Sequence, residues 1–85
     1  MNQSISMNWL NDMAFETNLN GHRIVVDASE ENGGQNLGPR PKILMLVALG
    51  GCTGMDVVSI LKKMRVEYNS LEILVEGDTA DEHPK

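Results

Sequence analysis

A chain of 85 residues makes at most one small domain, and a domain this short buries only about 60% of the surface its unfolded form exposes. Its formal charge of −5, with acids gathered late between Glu72 and Glu82, leaves no basic stripe to displace counterions, so nucleic acid is excluded as a partner. A single cysteine excludes an intrachain disulfide; with no signal-peptide pattern at the start either, a reducing cytoplasm is the expected location. Trp9, Phe15 and Tyr68 are the only aromatic residues, so aliphatic side chains and six methionines must build the core.

Ser4-Ile5-Ser6-Met7-Asn8-Trp9 alternates polar and apolar, which puts Ile5, Met7 and Trp9 on one face of a strand. Leu10-Asn11-Asp12 reads as a turn. Residues 13–19 alternate again, with Met13, Phe15, Thr17 and Leu19 on one side. Asn20-Gly21 then predicts a type I′ hairpin turn, because both central residues need positive φ. The β-branched stretch His22-Arg23-Ile24-Val25-Val26-Asp27 returns antiparallel and completes a three-stranded meander.

Residues 28–38 form a loop. Its Gly33-Gly34 pair is not followed by Gly-Lys-Ser/Thr, so it is no phosphate-binding loop. Long loops in compact domains often lie beside sites, however. Gly38-Pro39-Arg40-Pro41 opens a helix, where proline is tolerated because its missing N–H would be unpaired anyway. Apolar residues from Leu44 to Met64 cover nearly all sides of that helix, the pattern of a buried element. The apolar run over residues 43–61 approaches the length that crosses a bilayer, about 20 residues. Asp56, Ser59, Thr53 and the glycines at 50, 51 and 54 favour a helix covered by protein, and no membrane partner is expected. Lys62, Lys63 and Arg65 suit the negative end of the helix dipole. Residues 71–76 alternate as a further strand, and Asp81-Glu82-His83-Pro84-Lys85 is an abrupt ending.

Cys52 is the one residue with nucleophilic chemistry to offer, and it acts only as a thiolate. If the Gly50-Gly51 pair breaks the helix, Cys52 sits at a new N-terminus whose dipole favours the anion; otherwise the pair marks close approach of another backbone. In the absence of a break, a cation must come near, and Arg40 and Arg23 are the candidates. Asp56, four residues on, shares a helix face with the thiol and opposes its ionisation. The competing reading is that Cys52 is a small buried apolar residue. His22, His83 and Cys52 show none of the ligand spacings of a metal site, and no cofactor is implied. His22 reads as a solvated strand-end residue and His83 as part of a turn.

The run Gly38-Pro39-Arg40-Pro41, followed by Leu44 and by Ala48-Leu49-Gly50-Gly51-Cys52-Thr53-Gly54-Met55-Asp56-Val57-Val58, resembles the OsmC/Ohr family of osmotically inducible and organic hydroperoxide resistance proteins. The Gly-Cys-Thr-Gly-Met-Asp-Val-Val form is closer to the OsmC-like branch. The resemblance implies an α+β fold: an antiparallel β-meander, a long buried central helix and a further strand, in an intertwined homodimer with sites at the subunit interface. It also implies a thiol-dependent peroxidase that reduces organic hydroperoxides in oxidative or osmotic stress, with Cys52 in the peroxidatic position and a thiol as reductant. Two features depart from that pattern. Family members are longer and carry a second, resolving cysteine on a later helix, so this sequence corresponds to a single OsmC-like domain over residues 1–85 that is truncated at its C-terminus. The peroxidases also place a glutamate early in the helix to pair with an arginine, where this chain has Pro41-Lys42-Ile43-Leu44. Two functions therefore stay open: a cysteine-based hydroperoxide reductase with Cys52 as nucleophile and Arg40 as its cation, or a non-catalytic structural or small-ligand-binding dimer in which Cys52 is core.

Overall fold

The computed structural model describes residues 2–78. The chain divides into two compact units, Met1–Leu44 and Met45–Lys85. The elements in order are β1 (Asn8–Asn11), β2 (Ala14–Leu19), β3 (His22–Val26), a single 3-10 turn at Glu30–Asn32, and α1 (Pro41–Lys63). This is an α+β half-fold of one three-stranded antiparallel sheet, ordered β1-β2-β3, and one long helix.

In the first unit the two hairpins differ in their turn chemistry. Asn20 and Gly21 have φ of 52° and 83°, as a type I′ turn requires, and Leu19 pairs with His22 to close it. The β1–β2 turn falls at Asp12-Met13, two residues beyond the expected start, and the register slips between Trp9 and Asn11. The cause is local: Asp12 takes a left-handed φ of 44°, and the Trp9 indole N–H donates to the Asp12 carbonyl at 2.9 Å, which carries β1 on to Asn11. Residues 4–7, expected to form the first part of this strand, belong to no ladder.

Trp9, Phe15 and Val26 align across the three strands, so the pleat puts Thr17, Ile24 and Leu19 on the same face. On the opposite face Arg23 Nε bonds Glu16 Oε1 at 2.6 Å. Among the described residues only Ala14, Thr17, Val26 and Asp27 are buried, and two of these four are polar. Trp9, Phe15 and Leu19 on the same face as Thr17 and Val26 remain exposed, as does Met13 in the turn, so that face is covered only in part.

Helix α1 is continuous through Gly50 and Gly51. The glycine pair therefore marks close approach and not a break: a methyl group at Gly50 would lie 3.1 Å from Val75 Cγ2, whereas one at Gly51 would meet nothing within 4 Å. The helix ends in a Schellman arrangement, with Arg65 N–H donating to Lys62 O at 3.1 Å and Val66 N–H to Leu61 O at 3.0 Å. Arg65 occupies the left-handed position, φ 56°, where glycine is the usual residue.

Residues 71–78 lie along α1 within the second unit. Ile73 packs beside Gly54, Val75 beside Gly50 and Leu46 beside Gly77. Ile73 and Val75 are half-buried and Leu74 is exposed, so the alternation of period two is present. The stretch is nevertheless not a strand, because no other strand among the described residues lies beside it to complete a ladder. The expected burial of α1 also fails within this chain: none of its residues is buried. In the part of α1 within the second unit, the half-buried positions 46, 50, 54, 57, 58 and 61 follow one face, and the rest of the cylinder is open because residues 71–78 cover only that side. By length and composition α1 would suffice to cross a membrane, a property that core helices of soluble proteins share. The tail with His83 lies outside the described residues.

Two substitutions test these backbone assignments by thermal unfolding. Arg65→Gly should stabilise the helix end by about 0.5–1 kcal/mol, since a side chain in the left-handed region is strained. Gly34→Ala should destabilise by about 1–3 kcal/mol, because its methyl would collide with the Ala28 carbonyl oxygen and sit 2.7 Å from Asp27 Oδ1.

Candidate functional site

Cys52 lies mid-way along α1, and its thiol is exposed. Helical geometry places it with Met45, seven residues before, Leu49, three before, Asp56, four after, and Ile60, eight after. All five are exposed, and this stripe points away from the Gly54 face that residues 71–78 cover. The candidate site is thus a thiol on an open apolar helix face, with one carboxylate a turn away. Of the two alternatives for the thiol, a new N-terminus at Cys52 does not arise, since the helix runs unbroken from Pro41 and the dipole acts only within the first turn. No acid occupies that first turn.

A shallow groove of about 560 Å³ lies beside the same helix, between Gly51, Met55, Val58 and Lys62 on one side and Leu71 and Ile73 on the other. It is mainly apolar, and Cys52 does not line it. Among the described residues no cluster of three His, Cys, Asp or Glu side chains can hold a metal ion.

The two candidate cations belong to the first unit, and each has a local partner. Arg23 is committed to Glu16 across β2 and β3. Arg40 donates from Nη1 to the Gly38 carbonyl at 2.9 Å and from Nη2 to Asn36 Oδ1 at 2.8 Å. Sequence reasoning missed the residue that organises the loop beneath Arg40. Asp27, 2% exposed at the end of β3, accepts backbone N–H groups from Ala28 on Oδ1 at 2.7 Å and from Gln35 and Leu37 on Oδ2, both at 3.1 Å. Burial works against its charge, but the Leu37, Gln35 and Ala28 donors, with the Arg40 cation, outweigh burial and hold its carboxyl below the ordinary value. The available signal was an aspartate directly after a β-branched strand and before a glycine-rich loop, where a carboxylate can satisfy turn amides.

The comparisons with known proteins agree with this layout. The family model described as OsmC-like protein matches residues 33–85, a span that holds Arg40, all of α1 and Cys52. This chain belongs to the OsmC-like family. It is also 33% identical over 78 residues to Protein YhfA of Escherichia coli strain K12, and to the same degree to Protein YhfA of Escherichia coli O157:H7 and of Shigella flexneri. Each alignment covers 91% of this chain and 55% of the relative, so the chain spans about half the length of the curated relatives it matches.

A depressed Asp27 pKa fixes the sign of an acid dependence. The carboxylate contributes stability that is fully present above its unfolded value of about 3.9 and is lost as pH falls through the lower folded value. Chemical unfolding followed as a function of pH should therefore show an acid-side loss that Asp27→Asn, already less stable at neutral pH, largely lacks.

Proposed function

We propose that this chain carries the peroxidatic half of an OsmC-like hydroperoxide reductase, with Cys52 as the nucleophile. The observation that supports this reading is the exposed Cys52 thiol at the centre of the family-matched segment. The Cys52 thiolate attacks the distal oxygen of an organic hydroperoxide and the O–O bond breaks. The alcohol leaves after taking up a proton, and Cys52 becomes a sulfenic acid. Two equivalents of an external thiol then reduce this acid, giving a disulfide of that thiol and water and returning Cys52 to the thiol. Arg40 is the cation we assign to the thiolate, with its guanidinium oriented by Gly38 and Asn36. The setting is a reducing cytoplasm.

The working form is a homodimer. Met45, Val47, Leu49, Met55 and Ile60 are all more than half exposed. Covering each such side chain contributes about 1.5–3 kcal/mol, so a handful matches the whole stability of a small domain. The same stripe supports the second reading, a structural dimer in which a partner covers Cys52 together with Met45, Leu49 and Ile60.

Exposure to cumene hydroperoxide, with sulfenic acid trapped and read by intact mass, separates the two. The peroxidase reading predicts oxidation at least about a hundredfold faster than that of free cysteine, and none in Cys52→Ser. Oxidation no faster than the free thiol would leave the structural dimer as the function.

A further inference from the structure

The loop between β3 and α1 contains a buried ionised group that no step of the proposed chemistry uses. We propose that Asp27 is a positioning residue: its carboxylate closes residues 28–37 into a ring and so fixes Asn36 and Gly38, the two groups that hold the Arg40 guanidinium.

The connections are specific. Oδ1 of Asp27 takes the Ala28 N–H, and Oδ2 takes those of Gln35 and Leu37, which flank Asn36 on both sides. The Asp27 N–H donates to the Pro39 carbonyl at 3.1 Å, so the same residue also pins the chain immediately before Arg40. Inside the ring Gly34 N–H reaches Ser29 O at 2.9 Å and Asn36 N–H reaches Ala28 O at 3.3 Å. Asn36 is thereby set in a left-handed conformation, φ 55°, and its side-chain oxygen accepts from Arg40 Nη2. The charged groups facing this cluster are Arg40 and, on the β1–β2 turn, Asp12, whose Oδ2 accepts from the Gln35 side chain at 2.5 Å. A neutral side chain at 27 weakens or removes the acceptor of up to three part-buried loop amides, so the ring opens and Arg40 loses its support.

The placement of Arg40 stands independently of what Arg40 then does; only its consequence for Cys52 rests on the proposed peroxidase. The test is residue-resolved amide exchange by NMR on the full chain, with Asp27→Asn and Arg40→Gln. Asp27→Asn should speed exchange at Gln35 and Leu37 by more than about tenfold and collapse the Arg40 guanidinium signals, while the β2–β3 ladder stays protected. Arg40→Gln should leave Gln35 and Leu37 protected and move the Asp27 titration upward, since one of its lowering influences is gone. If Asp27→Asn fails to fold, titration of the unaltered chain gives the same reading: Asp27 protonation should coincide with release of Gln35, Leu37 and the Arg40 signals, before the ladder opens. Asp27 protonating while those signals stay fixed would overturn the proposal. Release of Gln35 and Leu37 by Arg40→Gln as large as by Asp27→Asn would also overturn it, by making Arg40 the hub. Cys52 oxidation, read separately in the same variants, reports on the peroxidase and not on the ring.

Discussion

A helix with apolar side chains on nearly every side needs cover on every side, and the described residues supply cover on one. Residues 71–78 lie over the face made by Leu46, Gly50 and Gly54, where the absence of side chains on the glycines lets Ile73 and Val75 come close. The remaining faces, with Met45, Leu49, Met55 and Ile60, stay open. The sheet shows a milder form of the deficit: on the face with buried Thr17 and Val26, Trp9 and Phe15 remain exposed. Water tolerates scattered apolar groups but not stripes of them, so the missing cover is the constraint from which the proposed dimer follows.

What the first unit lacks in apolar burial it replaces with backbone satisfaction. Only Ala14 and Val26 are buried apolar residues there, and Asp27 stands beside them with its carboxylate taken up by three amides. A fixed charge that satisfies several donors at once costs desolvation but removes a larger penalty, that of amides stranded away from water. This explains how a loop of this length, with only one 3-10 turn of its own, holds a defined path from β3 to Pro41. It also gives the Arg40 guanidinium a fixed setting between Gly38 and Asn36.

Much of this was legible in the residues, for identifiable reasons. Asn20-Gly21 announced its turn because few other pairs tolerate two positive φ values, and Pro41 announced the helix start because its ring suits a first turn. The Gly-Cys-Thr-Gly-Met-Asp motif pointed to the family. Three features were not legible. The β1–β2 turn moved to Asp12-Met13 through a tryptophan side-chain bond that no periodicity encodes. Residues 71–76 have a strand's alternation, but a ladder depends on a neighbour that the local sequence does not specify. Asp27 read as the end of a strand, because its three partners lie up to ten residues downstream and meet only once the loop has closed.

The proposed dimer requires that a second copy cover the open face of α1. Sedimentation equilibrium across the micromolar range tests it most directly, with Leu49→Lys as the variant that puts a charge into that face. The account predicts a species of twice the chain mass that dissociates on dilution, and a variant that is monomeric throughout. A monomer at every concentration, with its apolar helix still exposed and soluble, would contradict it.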